Sequence, residues 1–161
     1  MSLEYKNIQK ICNFHVSDWH MLTTVLSYLK QESIYLRPIA FISEKNLKTD
    51  FNFLLSKLNL NSNTSSVYKR IPWYDTTNNL GICNNSIYVV SGSLDYIREI
   101  NTYLEKVAEN NNINNVVIIN CYESFNKDLP IKEIIEENDK MLTTSGIKEF
   151  SSVFKENSKK L

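Results

Sequence analysis

The sequence predicts an α/β protein: a three-layer sandwich whose mostly parallel sheet of about five strands is flanked by helices. Three observations predict it. Short apolar runs alternate with amphipathic helical stripes along most of the 161 residues. Two of the runs, Ile87-Tyr88-Val89-Val90 and Val116-Val117-Ile118-Ile119, are continuously apolar, as strands covered on both faces require. No repeat and no long linker divides the chain, so residues 1–156 read as one domain and 157–161 as a frayed tail.

Taken in order, Ile11 to Ser17 reads as a first strand, and Asp18 stands where a helix N-cap stands. Trp19, Leu22, Leu26 and Leu29 then form a helical stripe, widened by Met21, Val25 and Tyr28. Leu36 to Ser43 is the second strand, with Pro38 marking its start or an edge position. Leu47, Phe51, Leu54, Leu55 and Leu58 give a second helix. Asn59 to Ser66 reads as a polar loop, Ser66 to Trp73 as a weak third strand, and Asp75 to Asn85 as turns around Gly81. After the Ile87–Ser91 strand, Leu94, Ile97, Ile100, Leu104 and Val107 form a third long helix that stops in an asparagine cluster. Val116 to Cys121 is the next strand. Pro130 opens a fourth helix with Ile131, Ile134 and Ile135 inward. Thr144-Ser145-Gly146 breaks the chain, and Ile147, Phe150, Val153 and Phe154 suggest a last short helix. Repeated strand–helix alternation implies right-handed crossovers and a Rossmann- or RecA-like sheet.

Composition excludes several function classes. Eighteen basic residues balance eighteen acidic ones. The one dense basic cluster, Lys155, Lys159 and Lys160, carries Glu156 with it, so no nucleic-acid partner is expected. No apolar run approaches the roughly 20 residues of a membrane span. Met1 to Lys6 lacks the apolar segment of a signal peptide, so a cytoplasmic location is expected. Cys12, Cys83 and Cys121 are odd in number and widely spaced, which fits reduced thiols. The chain has three glycines, Gly81, Gly92 and Gly146, against 21 asparagines. Neither a phosphate-binding loop nor a dinucleotide fingerprint can be written with three glycines so far apart. No cofactor is expected.

Open parallel sheets bind ligands outside the carboxyl ends of their strands. That rule turns the strand assignments into candidate ligand-binding residues. Asp18, Trp19 and His20 follow the first strand, and Ser43 and Glu44 end the second. Ser91, Gly92 and Ser93 follow the third apolar run, and Cys121, Tyr122 and Glu123 end the fourth. Trp73 joins them, because Ile71-Pro72-Trp73-Tyr74 sets two aromatics where they can line a pocket or lid the core. Ser91-Gly92-Ser93 could hold an anion at a helix start, but a tight turn with Ser93 as N-cap is the preferred reading. Cys12, His15 and His20 have the spacing of metal ligands. On a strand, however, Cys12 and His15 point to opposite faces, so no metal site is expected. His15 reads as a satisfied, half-buried strand residue, His20 as a first-turn residue against Trp19 or solvent, and Cys121 as a buried structural thiol.

Three segments resemble the sensory domain called MEDS, a RecA-type α/β domain without its phosphate loop. Phe14-His15-Val16-Ser17-Asp18, the helix ending Leu26-Ser27-Tyr28-Leu29 and the strand at Phe41-Ile42-Ser43 are similar to that family's first β-α-β. Cys121-Tyr122-Glu123 with Phe125 resembles its Cys-x-Tyr-acid segment, and the helix to Asn138, then Leu142 and Gly146, resembles its closing segment. Asn138-Asp139 stands where the family has His-Pro. The resemblance implies a prokaryotic, non-enzymatic sensory or regulatory module in signal transduction. Val89 to Asp95 and Thr144-Ser145-Gly146-Ile147 also look like pieces of a STAS interaction domain, at a spacing too long for that fold. The leading expectation is a regulatory domain that binds a small-molecule ligand or a regulatory protein partner at the carboxyl edge, with a homodimer as one assembly open to it. The rivals are a small hydrolase- or transferase-type enzyme using His20 with Cys121, Asp18 or Glu123, and a STAS-like interaction module.

Overall fold

A computed structural model describes residues 7–31, 37–124 and 127–153. Its elements are β1 (Ile8–His15), α1 (Asp18–Gln31), β2 (Ile39–Ser43), α2 (Lys48–Lys57), α3 (Ser62–Lys69), β3 (Trp73–Tyr74), β4 (Ile87–Ser91), α4 (Leu94–Asn110), β5 (Val116–Glu123), α5 (Ile131–Glu137), β6 (Lys140–Thr143) and β7 (Gly146–Lys148). The sheet order is β3-β2-β4-β5-β1-β6-β7. Every pairing is parallel except β6 with β7.

Strand alternation divides the apolar residues into two cores. Ile11, Phe41, Val89, Ile119 and Cys121 pack with Met21, Leu22, Val25 and Leu29 of α1, Phe51 and Leu55 of α2, and Tyr68 of α3. Cys12, Ile42, Val90, Ile118 and Tyr122 pack with Ile97, Ile100 and Leu104 of α4 and Ile134 of α5. β2 and β4 are buried along their whole length, and β5 up to its final residue, as their apolar runs require. The protein is therefore a three-layer α/β sandwich with a mostly parallel sheet. Among the described residues, no helix is long and apolar enough to cross a membrane.

The sheet has seven strands, two more than expected. Both extra strands come from the closing segment, where the break at Thr144-Ser145-Gly146 is a hairpin turn. Gly146 takes a φ of 109°, which suits glycine alone, and Thr143 Oγ1 bonds the Gly146 carbonyl at 3.0 Å. Ile147 accordingly lies in β7, and among the described residues of this segment the last helix covers 150–153. Half of the weak strand expected from Ser66 to Trp73, residues 66–69, belongs to α3. Asn61 caps that helix by accepting from the Thr64 amide at 2.7 Å, and only Trp73 and Tyr74 pair with β2. Hydroxyl-rich Ser62–Ser66 read as a loop, but the asparagine cap and Val67-Tyr68 packing hold it helical. β1 runs from Ile8 to His15, three residues earlier at its start and two at its end than its apolar pattern suggested. Leu36, Phe125, Phe154 and the 157–161 tail lie outside the described residues.

Candidate functional site

Above the carboxyl ends of the strands the chain parts. The connections from β1 and β2 lead into α1 and α2 over one face, and those from β4 and β5 lead into α4 and α5 over the other. Such a divergence leaves a crevice, the position at which open parallel sheets bind ligands. Two clefts occupy it. The first, about 250 Å³, is lined by His15, Asp18, Glu44, Lys45, Ser91, Gly92, Ser93, Leu94, Tyr122, Glu123 and Leu129. The second, about 400 Å³, lies toward the β3 edge, with Ser43, Lys48, Trp73, Tyr74 and Asp75 among its walls. Glu44 and Lys45 line both.

The strands change character just below these clefts. Ser43, Ser91, Cys121 and Asn13 lie side by side across β2, β4, β5 and β1, one small polar residue per strand. His15 and Glu123 form the next pair outward on β1 and β5. By alternation these residues face the α1 and α2 side. Among the described residues, three buried side-chain polar atoms lack a hydrogen-bond partner: Asn13 Oδ1, His15 Nδ1 and Ser43 Oγ. All three belong to this one polar margin. Buried polar groups in native proteins are nearly always paired, so three orphans at one edge point to a partner from outside the chain, water or ligand.

The turn after β4 is closed by the protein itself. The Ser93 amide donates to Glu44 Oε1 at 2.9 Å, and Ser93 Oγ accepts from the Tyr96 amide at 3.3 Å as the N-cap of α4. A carboxylate at a helix start is favoured by the helix dipole. The chain has thus supplied its own anion where a free one could have docked. Gly92 is needed there because a Cβ would come within 2.6 Å of Tyr96 Cδ1 and 2.9 Å of Glu44 Cβ. The Tyr96 hydroxyl donates to the Asp75 carbonyl at 2.8 Å. Burial, with the Glu44 carboxylate adding to it, pushes that phenol up to about 12.

Of the residues expected at the edge, Asp18, Glu44, Ser91, Gly92, Ser93, Tyr122 and Glu123 come together around the first cleft, and Ser43 and Trp73 line the second with Glu44. Trp73 also lids the core, stacked on Phe41 with ring centroids 4.2 Å apart, so both readings of it hold. Trp19, His20 and Cys121 line neither cleft. Each helical residue turns about 100° from the last, so Trp19 leaves Asp18 behind and meets Phe53 of α2 edge-on at 5.7 Å. His20 Nδ1 accepts from the Val16 amide at 3.4 Å, and its own amide bonds Ser17 Oγ. Cys121 is fully buried, and burial, with Cys12 adding to it, holds its thiol protonated.

His15 corrects the sequence reading most. It is 4% exposed and lines the first cleft, and its Nδ1 has no hydrogen-bond partner among the described residues. An apolar pattern that carries β1 on to Ser17 sets His15 inside the strand instead of at its mouth. Lys45, 3.9 Å from Asp18, was also missed, because a lone lysine in a polar loop carries no sequence signal. No group of three or more His, Cys, Asp or Glu residues is arranged to hold a metal ion among the described residues.

Burial lowers the His15 pKa below 6.5; Asp18 and Glu123 partly offset this, while His20 and Lys45 add to the lowering. A histidine depressed in the folded state stabilises fully above its unfolded pKa of about 6.5, and that contribution is lost as pH falls through the folded value. Melting temperature should therefore drop between pH 7 and pH 5, and drop less in His15→Gln; equal drops would contradict the assignment.

No protein-family model, curated protein or solved structure matches the chain.

Proposed function

We propose that this chain is a non-catalytic sensory or regulatory domain of the cytoplasm that binds a small ligand at the carboxyl edge of its sheet. The supporting observation is the polar margin of Asn13, His15 and Ser43, of whose orphaned residues His15 lines the first cleft and Ser43 the second. A MEDS-like sensory role fits two further features. The link from β1 to α1 is Val16-Ser17 alone, too short for a phosphate loop, and Glu44 fills the start of α4. Cys121, one of the three partners that the enzymatic alternative gives His20, is sealed in the core and protonated, which favours binding over catalysis by that thiol. Ligand would act by biasing the pairing of the β1–α1 and β2–α2 loops, which Lys45 and Asp18 already join.

A thermal-shift screen of small metabolites tests this. A ligand at 100 times its Kd adds about 2.7 kcal/mol, or roughly 5–10 °C for a domain of this size. The shift should shrink in His15→Gln for the first cleft or Ser43→Ala for the second. Hits unaffected by either variant would place binding elsewhere.

A further inference from the structure

We infer that the cleft between the ends of β1, β2, β4 and β5 takes a small organic cation, a primary amine or guanidinium compound, in preference to a phosphate or carboxylate. This rests on the ligand-binding reading above and names the ligand class.

The charge of the walls comes first. Asp18, Glu44 and Glu123 present three carboxylates against the single ammonium of Lys45. Lys45 is drawn toward Asp18, and Glu123 has no ion-pair partner among the described residues. Field lines converge in a cleft with low-dielectric walls, so an excess of one sign there selects the other. The second consideration is what anions would need. Parallel sheets hold phosphates on helix N-termini, and both long helices that begin at this cleft are closed by the chain's own acceptors. Ser93 and Glu44 take the amides at the start of α4, and Ser17 Oγ, with Asp18 in the first turn, takes that of α1.

The independent sign of a ligand is His15, more than nine-tenths buried, at the cleft wall and with its Nδ1 unpaired. A neutral imidazole offers one acceptor nitrogen, which an ammonium N–H can use. The cleft also sets the size. Its 250 Å³ holds on the order of eight waters, below the usual range of about 300–1,000 Å³ for drug-sized ligands. Leu94 and Leu129 give it an apolar wall for a short carbon chain. A compound with a cationic head and few carbons fits.

The test is a protein-observed NMR titration of the 15N-labelled chain at fixed ionic strength. The probes are ethanolamine, putrescine and agmatine, with acetate and phosphate as anions and glycerol as the neutral comparison. Saturable shifts are expected with at least one amine, at amides 15–18, 44–45, 91–94 and 122–124. The His15 pKa should fall further on binding, because a positive charge arrives beside the ring. Glu123→Gln, at an exposed strand end where folding is not at stake, should weaken binding about tenfold, as should Asp18→Asn. Glu109→Gln, at the far end of α4, should leave it unchanged. Acetate, phosphate or glycerol binding at these amides while no amine does would overturn the cation and leave the binding site standing. No saturable shift at this edge with any of the three classes would overturn both.

Discussion

Asn120→Ala should lower stability by about 3 kcal/mol, the sum of a small cavity and of buried amides left without partners. Asn120 is 1% exposed in the middle of β5. Its side chain donates to Asn101 Oδ1 of α4 at 3.0 Å and to Asn138 Oδ1 after α5 at 3.1 Å, and accepts from Asn101 Nδ2 at 2.7 Å. Asn101 spends its remaining donor on the Ile97 carbonyl, and Asn138 donates to the Ile134 carbonyl. The triad ties the sheet to both helices of one face, with little capacity to spare. In a domain of this size the loss corresponds to a fall in Tm of roughly 6–12 °C, measurable by calorimetry. Replacing all three asparagines with leucine removes the orphans together and should cost less than the single change. A fall under about 3 °C for Asn120→Ala would show that the triad is dispensable.

Gly92→Val should be the most damaging change at the candidate site. A Cβ at this position meets the Tyr96 ring and the Cβ of Glu44, and the latter cannot swing away without moving β2's final turn. Overpacking of this kind costs about 1–3 kcal/mol. Its local effect is larger than its energy suggests, because Glu44 must leave the Ser93 amide and both clefts share Glu44 as a wall. Ligand binding should disappear while the far-UV circular dichroism stays that of a folded α/β protein. Retained binding in Gly92→Val would place the ligand away from this turn.

Much of the architecture was legible because apolar continuity and helical stripes survive in β2, β4, β5, α1, α2 and α4. The errors fall where short polar segments take their structure from caps and neighbours. α3 is helical through the Asn61 cap and the packing of Tyr68, and neither shows in a serine-rich stretch. β6 and β7 are too short for any period, and only the glycine of their turn gave notice. The scarcity of glycine has a structural counterpart. Asn79, Asn85, Asn112 and Asn115 all take positive φ values between 53° and 63°, so asparagine fills the left-handed turn positions. The edge rule gathered most of the cleft's walls without knowledge of strand order. It missed His15 because a two-residue error at a strand end turns a mouth residue into an interior one. It added Cys121 because a residue near a strand's end can still point wholly into the core.

Amide mapping of any thermal-shift hit by 1H–15N spectroscopy decides whether a ligand meets the chain at the carboxyl edge of the sheet. Saturable shifts should cluster at residues 15–18, 43–46, 91–94 and 121–124, with the helical surfaces silent. Shifts centred on the amino edge, around residues 84–86 and 113–116, or spread over the outer helix faces, would contradict it.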